Sequence, residues 1–354
     1  MNPISQNHWE KLAAALSGEL RWNEGARGVY ATDASVYQQF PHAVAIPKNE
    51  NDVEAILAFC REHRMPVIGR GGGTSLSGQA IGAGIVIDFS QHMNRILEID
   101  RQAMTATVEP GVVLDELNAE LAPHGLLFAP DPATASRATI GGMIGNNACG
   151  TRSIVFGRTC DSIESLRCLL ADGSWMETQW NEPRTWRDAK TEQPLIRTFQ
   201  EIIDRHRDSI ARQIPDLPRM AAGYSLQYFV NEDRPKSFSD LFVGSEGTLA
   251  IATGATLRLK RLPTATSLVI MSFPSIDQSL RALPAILNHQ PSAIELLDDV
   301  LLKEAVRNSS TRDLSKVVVT SSTVPAAVLM VEFLRTHWNR PANANDLTTI
   351  ATRC

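Results

Sequence analysis

The 354-residue chain has no C-x-x-C pair, and its five cysteines (Cys60, Cys149, Cys160, Cys168 and Cys354) are scattered, most of them among apolar neighbours. An iron–sulfur cluster needs about four thiolates in one place, so none is expected. The pattern points instead to buried, reduced thiols in a cytoplasmic protein. Histidine is sparse too: there are eight, with no H-x-H or H-x-x-x-H pair, and no metal site is expected within the chain. Positive charge is short. Lys plus Arg number 34 against 39 for Asp plus Glu, a net charge of -5, with no basic run of five. That balance argues against nucleic acid or an anionic membrane as partner. No apolar run approaches the roughly 18 residues of a membrane span. The first residues, MNPISQNHWEKL, lack the cationic start and apolar core of a signal peptide.

The composition that remains, 43% apolar and 21% charged, supports real cores, and the length suggests two domains. Residues 43–122 alternate short apolar runs with helical patterns. AVAIP (43–47), PVIG (66–69) and IVIDF (85–89) read as strands of a parallel sheet covered on both faces. A capping box at Asn51 and Glu54 would open a helix that buries Val53, Ile56, Leu57 and Cys60. ILEID and TATVEPG (96–111) alternate like strands, and VLDELNAELAPHG reads as a helix ending at Gly125. SLRCLLADG, FVGSEGTLAI and GATLRLK look like strands of a second unit. Residues 181–239 are polar and dotted with proline, which suggests a surface excursion. TSLVIMSF (266–273), a helix over 275–289, AIELLDD and AVLMVEF begin a further domain. Its pattern fades after Phe333, so the chain reads as truncated.

The strongest local signal is GRGGGTSLSGQ (69–79), directly after a strand. Three successive glycines let backbone approach a ligand closely and can form a concave anion nest, with Thr74, Ser75 and Ser77 adding hydroxyls and Arg70 a charge. It is neither a Walker loop, which needs a Lys, nor a G-x-G-x-x-G fingerprint. Taken alone it is as compatible with a flexible turn as with a diphosphate site. A second segment, PDPATASRATIGGMIGNNACGTRSIVFGRTCD (130–161), is too orderly for a linker. Its small residues would let a helix or turn press against a flat ring or a diphosphate, or equally against another helix. A third patch, GSEGTLAI (244–251), places Glu246 between glycines in an otherwise apolar strand, either as a solvated turn residue or as acceptor for a ligand hydroxyl.

These three patches, in this order, resemble the FAD-binding domain of the vanillyl-alcohol oxidase and p-cresol methylhydroxylase (PCMH-type) superfamily, in its D-lactate, glycolate and D-2-hydroxyglutarate dehydrogenase branch. VEPGV (108–112) and AIELLD (293–298) fit as well. The resemblance implies an α+β chain: a lead-in over 1–37, a PCMH-type FAD-binding domain of two α/β subdomains over 38–263, and an incomplete α/β cap domain over 264–354. It implies that Arg70, Gly71, Gly72, Gly73, Thr74, Ser75, Ser77 and Gly78 hold the diphosphate. Pro130, Asp131, Thr139, Gly141, Gly142, Asn146, Gly150 and Gly157 would line the flavin and ribityl region. Glu246, Gly247 and Ile251 would close the adenosine or isoalloxazine side. Thr74 stands in the stretch where some members carry a flavin-linking histidine, so the FAD is expected to be non-covalent.

The implied reaction oxidises a D-2-hydroxy acid, D-2-hydroxyglutarate or D-lactate, with a quinone, cytochrome or iron–sulfur partner as electron acceptor. A silent FAD-binding fragment, another alcohol or sugar oxidase of the superfamily, and a phosphate-nest nucleotide binder without flavin are the alternatives. The branch's G-D-G-N-x-H region is absent, so no catalytic residue is assigned, and this chain alone is not expected to turn over hydroxy acids. Gly72→Val is expected to abolish FAD binding at little cost to the fold without cofactor.

Overall fold

Two four-residue runs, AVAI and IVID, are buried along their whole length and organise the first sheet. The computed structural model describes residues 4–179, 194–215, 217, 219, 223–231, 237–319 and 323–335. The chain divides into two units, Met1–Gly150 with Gly157–Lys260, and Thr151–Phe156 with Arg261–Cys354.

Unit 1 starts with α1 (Gln6–Ala15), β1 (Glu19–Arg21), α2 (Glu24–Val29), β2 (Ala43–Ile46), α3 (Glu50–His63), β3 (Val67–Arg70) and β4 (Ile85–Asp88). The sheet order is β1-β2-β4-β3. β2, β4 and β3 are parallel, as the continuous apolar runs suggest, and β1 adds an antiparallel edge. Val53, Ile56, Leu57 and Cys60 of α3 pack on this sheet with Trp9 and Leu12 of α1. The cap of α3 is Asn49 rather than Asn51: its backbone is extended and its side chain accepts from Asp52 N at 3.1 Å. Buried Asp52 in turn accepts from the backbone N–H of Ser17, Gly18 and Lys48 at 2.8–2.9 Å, which fixes the start of the helix. Two of those partners, Ser17 and Gly18, lie 35 and 34 residues away, beyond what a local sequence pattern can show.

The second sheet of unit 1 is wholly antiparallel. The stretch that builds it runs through β5 (Ile96–Asp100), β6 (Thr105–Val108), α4 (Leu114–Leu121), β7 (Leu126–Leu127), α5 (Ile140–Asn146), α6 (Ser153–Phe156), β8 (Ile163–Leu170), β9 (Trp175–Gln179), α7 (Pro194–Gln213), α8 (Gln227–Val230), α9 (Ser239–Phe242), β10 (Ala250–Arg258) and β11 (Lys260–Arg261); β7 and β11 are not strands of this sheet, and α6 belongs to unit 2. The order is β5-β6-β10-β8-β9. Two corrections arise here. The stretch expected as a surface excursion contains α7, which buries Ile196, Phe199, Ile203 and Ile210; its Arg-rich outer face carries the polar composition. AI (250–251) and GATLR (254–258) belong to one bulged strand, β10, and GSEG before it is a turn.

Unit 2 contains α6, β12 (Ala265–Phe273), α10 (Ile276–Leu287), β13 (Ala293–Asp298), α11 (Asp299–Arg307), α12 (Arg312–Val318) and β14 (Ala327–Arg335). Its antiparallel sheet runs β12-β14-β13. Met271, Phe273, Ile286, Leu329, Val331 and Phe333 form its core. Arg152, just before α6, makes a two-pronged ion pair with Glu332 of β14, 2.8 Å at each prong, and Ser292 donates to the same carboxylate at 2.8 Å. Residues 336–354, where the pattern fades, lie outside the described residues.

Candidate cofactor site

The glycine loop leaves β3 at Arg70, and the structure supports it from behind. The Arg70 guanidinium donates to the backbone oxygens of Thr32 at 2.9 Å and Ala80 at 3.1 Å and lies 5.2 Å from the centre of the Tyr30 ring. Its charge therefore braces the loop through carbonyl contacts. Tyr30 donates to buried Asp88, at the end of β4, at 2.5 Å. Burial, and then the Asp88 hydrogen bond, push the Tyr30 hydroxyl up to about 12, so it stays a neutral donor at physiological pH.

In front, the loop presses on the second segment. A Cβ on Gly71 would overlap Thr139 Oγ1, and one on Gly72 would overlap the backbone oxygen of Arg137. These glycines allow two parts of the protein to meet. Thr139 caps α5, its Oγ1 accepting from Gly142 N at 3.3 Å. The other end of α5 is closed by the third motif: Gly244 N donates to Ile144 O at 2.8 Å and Glu246 N to Gly145 O at 3.0 Å. Glu246 has φ +52°, and glycines at φ +89° and +74° flank it. It is a turn residue and not part of an apolar strand.

The three motifs enclose one cavity of about 440 Å³ within unit 1. Arg70, Gly71, Gly72, Gly73, Thr74, Ser75 and Ser77 form one part of its wall. Thr139, Gly141, Gly142 and Asn146 form a second, and Glu246, Gly247 and Ile251 a third. The remaining expected residues stand outside the lining. Gly78 has φ +81° and faces Tyr37. Pro130 is buried, Gly150 is pressed against Asp131, and Gly157 (φ +71°) faces Asp161. Their contacts shape the segments behind the wall. Gln79, Gly145 and Cys168 also line the cavity; the first two lay inside the quoted motifs, whereas nothing in the sequence connects Cys168 to them.

The titratable side chains in the lining are few: Arg70, Cys168 and Glu246. Burial pushes the Cys168 thiol up to about 12, so it remains protonated and inert. Cys60 and Cys160 are also buried and stand outside any disulfide, and Cys149 is partly exposed. Among the described residues no histidine lines the cavity. Among the described residues no group of three or more His, Cys, Asp or Glu could hold a metal. The walls fit FAD. Hydroxyls and bare backbone at 71–77 suit a diphosphate, and a Cβ on Gly145 would meet nothing nearer than Glu246 Cα at 4.0 Å, so α5 offers a flat surface to a ring system.

Comparison with known proteins agrees. Residues 41–179 match the family described as FAD binding domain. The chain is 35% identical over 302 residues to D-2-hydroxyglutarate dehydrogenase from Pantoea ananatis (strain AJ13355), covering 83% of this chain and 30% of that protein. It is 29% identical over 271 residues to the mitochondrial D-lactate dehydrogenase (cytochrome) of Kluyveromyces lactis, covering 75% of this chain and 38% of that one. The chain spans about a third of the length of these curated relatives. Among solved structures, an alkyldihydroxyacetonephosphate synthase shares the fold with a TM-score of 0.72 at 18% identity, over 100% of this chain and 60% of that one. Among the described residues no helix is long and apolar enough to cross a membrane.

Proposed function

With residues 41–179 an FAD-binding domain and FAD the cofactor it binds, we propose that this chain is the flavin-holding part of a dehydrogenase that oxidises D-2-hydroxy acids, D-2-hydroxyglutarate or D-lactate, to 2-oxo acids. The observation that carries this is the single cavity walled by all three motifs. Bound FAD would supply the two-electron acceptor for oxidation of the substrate carbon. The chain's own residues hold and orient. Thr74 and Ser77 offer hydroxyls to the diphosphate, Ser75 lines the wall with its hydroxyl donated to Gln79 Oε1, and the glycines of α5 admit the flat ring. Thr74 has no nucleophilic ring nitrogen, which favours non-covalent binding. The expected diphosphate contacts of Gly78 and the flavin contacts of Pro130, Asp131, Gly150 and Gly157 are indirect in this reading, made through the segments they shape.

The substrate class rests on the relatives' names, which point to D-2-hydroxyglutarate and D-lactate. Of the candidate electron acceptors, the second name favours a cytochrome over a quinone or an iron–sulfur partner. Among the described residues the cavity lining holds no histidine to take the hydroxyl proton, and its one carboxylate, Glu246, accepts a hydrogen bond from Gln79. Anaerobic mixing of the FAD-loaded chain with D- and L-2-hydroxyglutarate, D- and L-lactate and glycolate tests the reading through the flavin absorption band. The expected result is D-selective reduction far below the typical enzyme turnover of about 10 per second. Reduction by simple alcohols or sugars in place of D-2-hydroxy acids would point to another oxidation of the superfamily. No reduction by any donor would leave a silent flavin-binding module.

A further inference from the structure

Gln79 and Glu246 are 167 residues apart and line the same cavity, one from the glycine loop and the other from the turn before β10. Gln79 Nε2 donates to Glu246 Oε1 at 3.1 Å. The orientation of the amide is fixed at its other end. Gln79 Oε1 accepts from the Ser75 hydroxyl and from Ser77 N, the latter at 3.2 Å. A flipped amide would set its NH₂ against the Ser77 N–H, donor against donor. The side chain therefore reads as a tie-bar. Its oxygen is anchored in the loop that suits a diphosphate, and its nitrogen reaches the carboxylate of the turn that closes α5.

We infer that Gln79 and Glu246 form a clasp across the cofactor cavity, and that this clasp sets how fast FAD leaves. The inference rests on the FAD reading above and adds a retention device to it. Release requires the glycine loop and the GSEG turn to separate, and the amide–carboxylate bond resists that separation. Glu246 acts here through Gln79. A direct acceptor for a cofactor hydroxyl would not need Gln79 at all.

The test is the rate of FAD release from the holoprotein, followed by flavin fluorescence after dilution. Gln79→Ala and Glu246→Ala should each speed release about fivefold, the effect of one hydrogen bond to an exposed charged group. The double variant should also be about fivefold faster, because both remove the same bond. Gln79→Glu should be faster still, since two carboxylates then face each other; adding Glu246→Gln should bring release back to within about twofold of the parent, with the donor now on the other side. Denaturant melts of the cofactor-free variants separate release from unfolding, and Glu246→Gln alone, which keeps an acceptor oxygen, provides a mild control. Unchanged release in Gln79→Ala, multiplying effects in the double variant, or no rescue by the swap would each overturn the clasp. A parent protein that holds no FAD would instead overturn the cofactor reading.

Discussion

Gly72 and Gly145 both line the cofactor cavity, yet a side chain at each would meet different things. At Gly72 a Cβ would run into the backbone of Arg137. At Gly145 it would stop 4.0 Å from Glu246 Cα. The first glycine lets two protein segments touch, and the second leaves room for something that is not protein. Glycine-rich motifs of this kind thus do two jobs, which substitution can separate.

The largest effect is expected at Gly72. Gly72→Val should destabilise the cofactor-free protein by about 1–3 kcal/mol, because Arg137 is backbone and cannot step aside. This corrects the expectation from sequence that the change would cost only FAD. A urea melt of the apoprotein is the check, and an unchanged midpoint would show that the loop does not press on residue 137.

A second prediction concerns Arg152, where one motif serves two regions. The tail of the second segment, Thr151–Phe156, belongs to unit 2. Arg152→Ala should remove the ion pair to Glu332 and lower the stability of unit 2 by about 1 kcal/mol, a figure reduced because the arginine is 37% exposed. Arg152, and then Ser292 by its hydrogen bond, hold the Glu332 carboxyl below its ordinary value against the opposing effect of burial. A depressed folded-state value means stability that is present above the unfolded carboxylate value of about 4.3 and lost as pH falls through the folded one. The parent should therefore lose more stability on acidification than Arg152→Ala. Equal slopes in acid melts would exclude this role.

The smallest effect on the fold, with the opposite sign, belongs to Gly145→Ala. Removing a glycine from α5 should stabilise the apoprotein by about 0.5–1 kcal/mol. The methyl group enters the cavity, so FAD affinity should fall, on the order of tenfold. Calorimetric titration together with an apo melt reads both signs. Unchanged FAD affinity would place the ring system elsewhere.

These contrasts also mark how much the sequence could show. The parallel strands at 43–46 and 85–88 were legible because burial on both faces leaves continuous apolar runs, and 67–70, which is only partly buried, showed as a short apolar start before the glycine loop. The three motifs were legible as chemistry, and the structure brings most of their residues to one wall. What sequence could not give was direction. Arg70 looks like a free charge, but its guanidinium turns back onto the carbonyls of Thr32 and Ala80. Glu246 looks like part of an apolar run, but its positive φ puts it in a turn. α7 was hidden because its polar face dominates the composition, while four apolar residues at helical spacing carry its burial.

The central claim is that the three motifs build one FAD site in unit 1, and flavin content measures it most directly. The purified chain should be yellow, and acid precipitation should leave a colourless pellet and release FAD, identified by chromatography against FMN. FAD kept in the pellet would contradict non-covalent binding, and released FMN, or no flavin at all, would contradict the diphosphate site itself.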